Sequence, residues 1–251
     1  MNFSNRFVSE CREYSSYVQH VKAPVFRKSF VLKEGSQSGE ILICGLGFYD
    51  LFINGKKITK GYLAPYISNT DHIVYYDHYD LTPWLKAGEN VIGVMLGDGF
   101  QNSKTRVWDF MDNVFNSAPK LALSMKVESD GEKQEFDAMD FSCKKGPIFF
   151  NDLRSGVFFD KREEEKGWDQ PGFQEDENWH KPILADRPRG KAKLCEAEPI
   201  AVVEERKPVK IWKGALADYT PRGDVPEGLC GQTTPESGLE KEGGYIYDFG
   251  E

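Results

Sequence analysis

The sequence predicts an all-β fold: a jelly-roll-like antiparallel β-sandwich with the beginning of a second β-sandwich after it. Three observations predict this. Apolar and polar residues alternate with a period of two in several short segments. Asn-Gly and Asp-Gly pairs sit between β-like runs, the strongest short hairpin signal. Strand-like segments recur at about 8–12 residues, as sandwiches require, and the chain's 24 glycines and 13 prolines suit many turns.

The elements follow in order. Residues 40–46 (EILICGL) and 90–96 (NVIGVML) are apolar on both faces, which predicts central strands. Between FYDLFI and KKITKGYL, Asn54-Gly55 predicts a hairpin turn. Residues 72–79 (HIVYYDHY) read as an aromatic-rich strand. Thr82-Pro83-Trp84-Leu85, stopped by Gly88, predicts one short helical turn with Thr82 as its cap. In 119–128 (PKLALSMKVE), Leu121, Leu123, Met125 and Val127 share one face and Lys120, Ser124, Lys126 and Glu128 the other. Asp130-Gly131 then turns the chain, and 134–143 returns as a partner strand. The run 161–166 (KREEEK) lacks an apolar stripe, so a solvated loop or short helix is expected.

At 251 residues the chain lies between one and two domains of about 150. The predicted division is a leader over 1–20, a sandwich over 21–185, and a connecting arm with the start of a second sandwich over 186–251. The Pro-rich, charge-alternating stretch 181–199 supplies the boundary. Residues 214–244, rich in Gly, Pro, Thr and Glu, are expected to be weakly ordered. YIYDF near the end is expected to pair with a neighbouring strand or be disordered. A net charge of −8 without a basic block argues against nucleic acid or an anionic membrane as partner. No apolar run approaches the ~18 residues of a transmembrane helix, and the first residues carry no apolar signal region. The five cysteines form no CxxC pair. Reduced thiols in a cytoplasmic protein are the simplest expectation.

Several ordered segments carry a family resemblance. They are VFRKSFVL, ILICGLGFYDLFINGKKI, LAPYISNTDHIVYYDHYDLTPWLKAGENVIGVMLGDGFQNS, GPIFFNDLRSGVFFDKREEEKGWDQPGF and the terminal YDFG. Together, from about Phe26 onward, they resemble the N-terminal region of bacterial α-L-rhamnosidases, which are inverting glycoside hydrolases. Phe100 stands where that family often has Trp. The resemblance implies that catalysis resides in an (α/α)6 barrel downstream, with acidic residues as acid and base, and that this chain carries no catalytic residue. It also implies a rhamnose-containing carbohydrate and the downstream catalytic domain as partners. No cofactor is expected except, from similar rhamnose-binding modules, a calcium ion at Asp71 or Asp98.

Two loops offer binding chemistry. In Gly97-Asp98-Gly99-Phe100-Gln101-Asn102 the glycines allow a tight turn, Asp98 and Asn102 carry hydroxyl-gripping groups, and Phe100 offers a stacking face. Equally, Asp98 would bond its own backbone and Phe100 plug the core. In 66–72, Tyr66, Asn69 and Asp71 combine an aromatic ring with oxygen and amide groups, against the plainer reading of a polar turn. Trp108, in the irregular KTRVWDFMDNVFN, is the tryptophan expected to line a groove, whereas Trp84, Trp168 and Trp179 read as plugs. His72 and His78 lie too far apart along a strand, about 20 Å, to share a metal. Glu163-Glu164-Glu165 reads as a solvated charge run. The expected sugar site therefore comprises Tyr66, Asn69, Asp71, Asp98, Asn102 and Trp108. Its alternatives are a purely structural sandwich, or the sandwich domain of another large glycosidase such as a β-galactosidase.

Overall fold

The computed structural model describes residues 1–15, 19–102, 117–153, 156–214 and 244–250. Its strands begin with β1 (Val8–Ser9), β2 (Pro24–Leu32), β3 (Gln37–Leu46), β4 (Tyr49–Ile53), β5 (Lys56–Lys57), β6 (Ile73–Asp80) and β7 (Gly88–Leu96). Then come β8 (Lys120–Ser129), β9 (Glu132–Asp137), β10 (Ser142–Lys145), β11 (Ile148–Asp152) and β12 (Gly156–Phe159). The last are β13 (Ile183–Leu184), β14 (Lys191–Leu194), β15 (Lys210–Gly214) and β16 (Gly244–Asp248).

Alternation along β8 sends Leu121, Leu123, Met125 and Val127 into the core, as the period of two requires. The same arithmetic places Ile41 and Ile43 of β3 beside them. Facing them from the other sheet are Phe26, Phe30 and Leu32 of β2, Leu51 and Ile53 of β4, and Ile92, Val94 and Leu96 of β7. One sheet runs β13-β1-β8-β3-β6-β14, with β9 also on β8; the other runs β10-β2-β7-β4-β5. The result is the two-layer sandwich expected, with β3 and β7 in central places. Pairing is antiparallel except that β14 joins β6 in parallel, from Lys191↔Ile73 to Leu194↔Tyr76.

Both predicted hairpin turns form. Asn54 and Gly55 have φ of 51° and 82°, and Asp130 and Gly131 have 49° and 75°. Two successive positive φ values give the turn whose twist matches the flanking strands. Thr82–Trp84 is a single 3-10 turn, but its N-cap is Leu81. The Thr82 hydroxyl instead accepts a hydrogen bond from Gly39 N of β3 at 3.2 Å. Lys161–Glu163 is likewise a short 3-10 turn.

Each outer face carries a smaller apolar cluster. Phe7 packs on Cys44, Leu46, Val74 and Ala122, and the Phe3 ring stacks on Tyr76 at 4.5 Å. On the other sheet, Trp168 and Trp179 cover Val25, beside Phe52 and Met95. Buried Arg27 holds this cover, its Nε donating to Trp168 O at 2.9 Å and its Nη1 to Glu175 Oε1 at 2.7 Å. Trp168 and Trp179 are therefore the plugs their sequence context suggests.

These elements up to Ala201 form one unit, and Val202–Glu251 forms a second. In the second, β15 and β16 pair antiparallel from Lys210↔Asp248 to Gly214↔Gly244, so the terminal aromatic strand has its partner. The expectation of weak order over 214–244 falls, but for the strand ends Gly214 and Gly244, outside the described residues. Among the described residues, no helix is long and apolar enough to cross a membrane.

Candidate functional site

Two loops are hung from consecutive residues of the β3–β4 turn. Gly97 N donates to Phe48 O at 3.1 Å, and Tyr49 N donates to Ala64 O at 2.8 Å. The loop after β7 and the loop before β6 are thereby fixed at one end of the sandwich. Gly47, at φ 110°, lets the two backbones touch: a Cβ there would lie 2.2 Å from Gly97 O. Only glycine fits such a conformation at that separation.

The loops enclose a shallow pocket of about 50 Å³. Its walls include Phe48, Tyr66, Thr70, Tyr75, Phe100 and Gln101. Phe48 and Phe100 meet edge to face at 6.3 Å between ring centres, as do Tyr66 and Tyr75. Thr70 is 8% exposed, and its hydroxyl has no hydrogen-bond partner among the described residues. A buried hydroxyl lacking a protein partner carries a desolvation cost that a polar ligand atom relieves.

The six residues expected at a sugar site separate in the structure. Tyr66 lines the pocket and is 50% exposed. Asn69 is spent on its own turn, its Oδ1 accepting from Asp71 N at 2.9 Å. Asp71 is half-buried in that turn. Asp98 and Asn102 are each 1% exposed. Asn102 Nδ2 donates to Asp98 Oδ1 at 2.7 Å, and Asn102 Oδ1 accepts from Ser15 N at 2.7 Å. Asp98 N donates to Asn151 Oδ1 at 2.7 Å. This pair builds the loop from inside. Phe100, by contrast, is half-buried at the pocket wall. Trp108 lies outside the described residues. Phe48, Thr70, Tyr75 and Gln101 were not singled out from the sequence, and no local pattern distinguishes them.

A larger groove of about 380 Å³ lies on the other side of Tyr66. Lys60, Tyr62, Asp77, Glu196 and Glu198 are among its lining residues. Behind it, Tyr49 OH donates to Asp77 Oδ2 at 2.5 Å and sits 3.0 Å from Tyr79 OH. Burial pushes the Asp77 carboxyl above its ordinary range, against the opposing effects of Tyr49 and Lys60. Burial also pushes Tyr79 up to about 12 and Tyr49 well above the usual phenol value. The phenols therefore stay protonated and act as donors.

Two other constellations do not support catalysis. Cys143 Sγ lies 3.7 Å from His180 Nδ1, and His180 Nε2 lies 3.2 Å from Glu10 Oε1, in the order of a nucleophile, base and orienting acid. Cys143 is wholly buried, however, and desolvation pushes its thiol up to about 12. His180 Nδ1 is also 3.1 Å from Lys181 O, which fits a donor rather than a base at that nitrogen. In the acidic run, Glu163 pairs with Lys22, while Glu165 pairs with Lys144 and accepts from Trp179 Nε1. These carboxylates pin the tryptophan-bearing segment.

Calcium takes six to eight oxygen ligands. Among the described residues, no group of three or more His, Cys, Asp or Glu side chains gathers as a metal would need. Asp98 and Asp71 belong to no such group among the described residues.

The model for the α-L-rhamnosidase N-terminal domain matches residues 36–204. A Formosa agariphila protein named α-L-rhamnosidase is 30% identical over 205 residues, covering 78% of this chain and 21% of that protein. A Streptomyces avermitilis protein of the same name is 30% identical over 136 residues, 53% of this chain and 13% of that one. The structure of α-L-rhamnosidase from Dictyoglomus thermophilum superimposes with a TM-score of 0.72 at 30% identity, over 86% of this chain and 24% of that one. That of S. avermitilis α-L-rhamnosidase complexed with L-rhamnose gives 0.60 at 25% identity, over 78% and 18%. The chain thus spans about a fifth or less of the curated relatives it matches.

Proposed function

Because this chain belongs to the α-L-rhamnosidase N-terminal domain family, we propose that it is the non-catalytic, carbohydrate-contacting β-sandwich of an enzyme that removes terminal α-L-rhamnose from glycosides. Its partners are then a rhamnose-containing carbohydrate and the downstream catalytic domain of the same protein. One observation carries the binding reading: the loops before β6 and after β7 meet at a pocket that combines aromatic walls with an unpartnered, buried Thr70 hydroxyl. Aromatic faces cover the apolar side of a sugar, and hydroxyl and amide groups read its oxygens. Tyr66 is the residue expected from the sequence that remains in this role; Phe100, Gln101, Thr70 and Tyr75 join it.

Calorimetric titration with L-rhamnose tests the reading. Binding is weak, since a monosaccharide offers few atoms. Tyr66→Ala weakens it by about three- to tenfold, the worth of one aromatic contact, and Thr70→Val weakens it through the lost hydroxyl. Titration in calcium and in chelator tests the ion expected at Asp71 or Asp98. No heat of binding, or unchanged affinity in both variants, overturns the proposal in favour of a purely structural sandwich.

A further inference from the structure

We propose that the pocket and the larger groove are two subsites of one track divided by Tyr66, so that the domain holds a rhamnose-terminated chain whose next unit is a neutral sugar. This rests on the pocket reading above. Tyr66 lines both depressions. Tyr75 of the pocket and Asp77 of the groove are alternate residues of β6, so they share a face of that strand at about 7 Å separation. The spacing is that of adjoining subsites on one rigid strand.

The groove's volume, about 380 Å³, falls within the range of about 300–1,000 Å³ usual for small-molecule sites. Tyr62, 54% exposed, offers a ring at its rim beside Tyr66. Its charge selects the occupant. Asp77, Glu196 and Glu198 face it against Lys60, whose Nζ already donates to His78 O at 2.6 Å. His78 is itself 3.2 Å from Glu40 Oε2. Three carboxylates accept hydrogen bonds from sugar hydroxyls but repel a uronate. A neutral hexose next to the terminal rhamnose satisfies this lining, and an acidic sugar does not.

The test titrates the 251-residue chain with L-rhamnose, with a disaccharide of rhamnose on a neutral hexose, and with one of rhamnose on a uronic acid. The neutral disaccharide binds about tenfold tighter than L-rhamnose, and the uronate disaccharide gains nothing. Tyr62→Ala removes the gain and leaves L-rhamnose affinity unchanged; Phe100→Ala weakens all three. Cys195, a half-buried thiol in the groove, supplies a second readout by site-resolved alkylation: the neutral disaccharide slows its modification, and L-rhamnose does not. Equal affinity for all three sugars overturns the track while leaving the pocket. Loss of L-rhamnose binding in Tyr62→Ala does the same, because the two depressions are then one site. Disaccharide binding without L-rhamnose binding, sensitive to Tyr62→Ala, sinks the pocket reading and keeps the groove as a site. No binding of any sugar ends both.

Discussion

Asn54 Nδ2 donates to Asn90 Oδ1 at 3.0 Å, tying the tip of the β4–β5 hairpin to the start of β7. Asn54 Oδ1 in turn accepts from Val91 N at 2.9 Å. Asn90 also accepts from Lys86 N and donates to Lys86 O and Gly88 O, at 3.1, 2.6 and 3.1 Å. One fully buried amide thus rivets the Leu81–Gly88 corner to the neighbouring hairpin.

Replacing Asn90 with Ala removes these four hydrogen bonds at once. Their partners lie on exposed or half-buried residues, so the net loss is about 0.5–1.5 kcal/mol for a typical bond. Urea unfolding of Asn90→Ala should therefore show a loss of at least that size. An exposed polar change such as Glu204→Gln should stay within about 0.5 kcal/mol.

Gly47→Ala should be far more damaging than Gly131→Ala, although both glycines have positive φ. At Gly131 a Cβ meets nothing within 4 Å, so only the left-handed backbone is penalised, by roughly 1–2 kcal/mol. At Gly47 the added carbon also strikes Gly97 O, so the β3–β4 turn and the loop after β7 must separate. Thermal unfolding ranks the two variants, and L-rhamnose binding should be lost in Gly47→Ala alone.

Asp77 gives a pH-dependent prediction. Burial raises its pKa in the folded state, so the folded protein holds this proton more tightly than the unfolded chain. The associated cost is fully present above the raised folded value and is relieved as pH falls through it towards the unfolded value. Asp77→Asn should therefore be at least as stable as the parent at neutral pH, with its advantage shrinking as the solution is acidified. Melting temperatures of both proteins across pH 3–7 would show it; an advantage growing on acidification contradicts the assignment.

Incubated with an aryl α-L-rhamnoside, this chain should release no rhamnose. Glu163 and Glu165 are tied up in ion pairs, and the line of Cys143, His180 and Glu10 holds a protonated, buried thiol. A rate proportional to protein concentration and abolished by one acidic substitution would reassign the chain as an enzyme.

The strands were legible because each rests on a short-range signal. The face of Leu121, Leu123, Met125 and Val127 needs only the period of two, and Asn54-Gly55 needs only its own backbone preference. The two candidate loops were legible too, since turn-rich segments between strands are recognisable locally. The lining of the pocket where they meet was not. Asp98 and Asn102 looked like hydroxyl-gripping groups, but loop closure brings them together, and the bond between them takes part of that capacity. Phe48 of the β3–β4 turn, Thr70 of the loop before β6 and Tyr75 of β6 itself come together at the pocket, a grouping no sequence window spans. The parallel strand β14 escaped for another reason: KAKL is exposed at all four positions and shows no alternation.

That parallel strand settles what would be left if the chain stopped at residue 185. The β6 backbone groups now bonded along Ile73–Tyr76 would form an open margin beside exposed Ile73. Such a row of unmet amides and carbonyls is a template on which a second copy can assemble. β14 closes that margin, and the new margin it presents is four residues long and carries Lys191 and Lys193, whose ammonium groups repel an incoming strand of like composition. The arm that leaves the sandwich thus also covers the edge of β6.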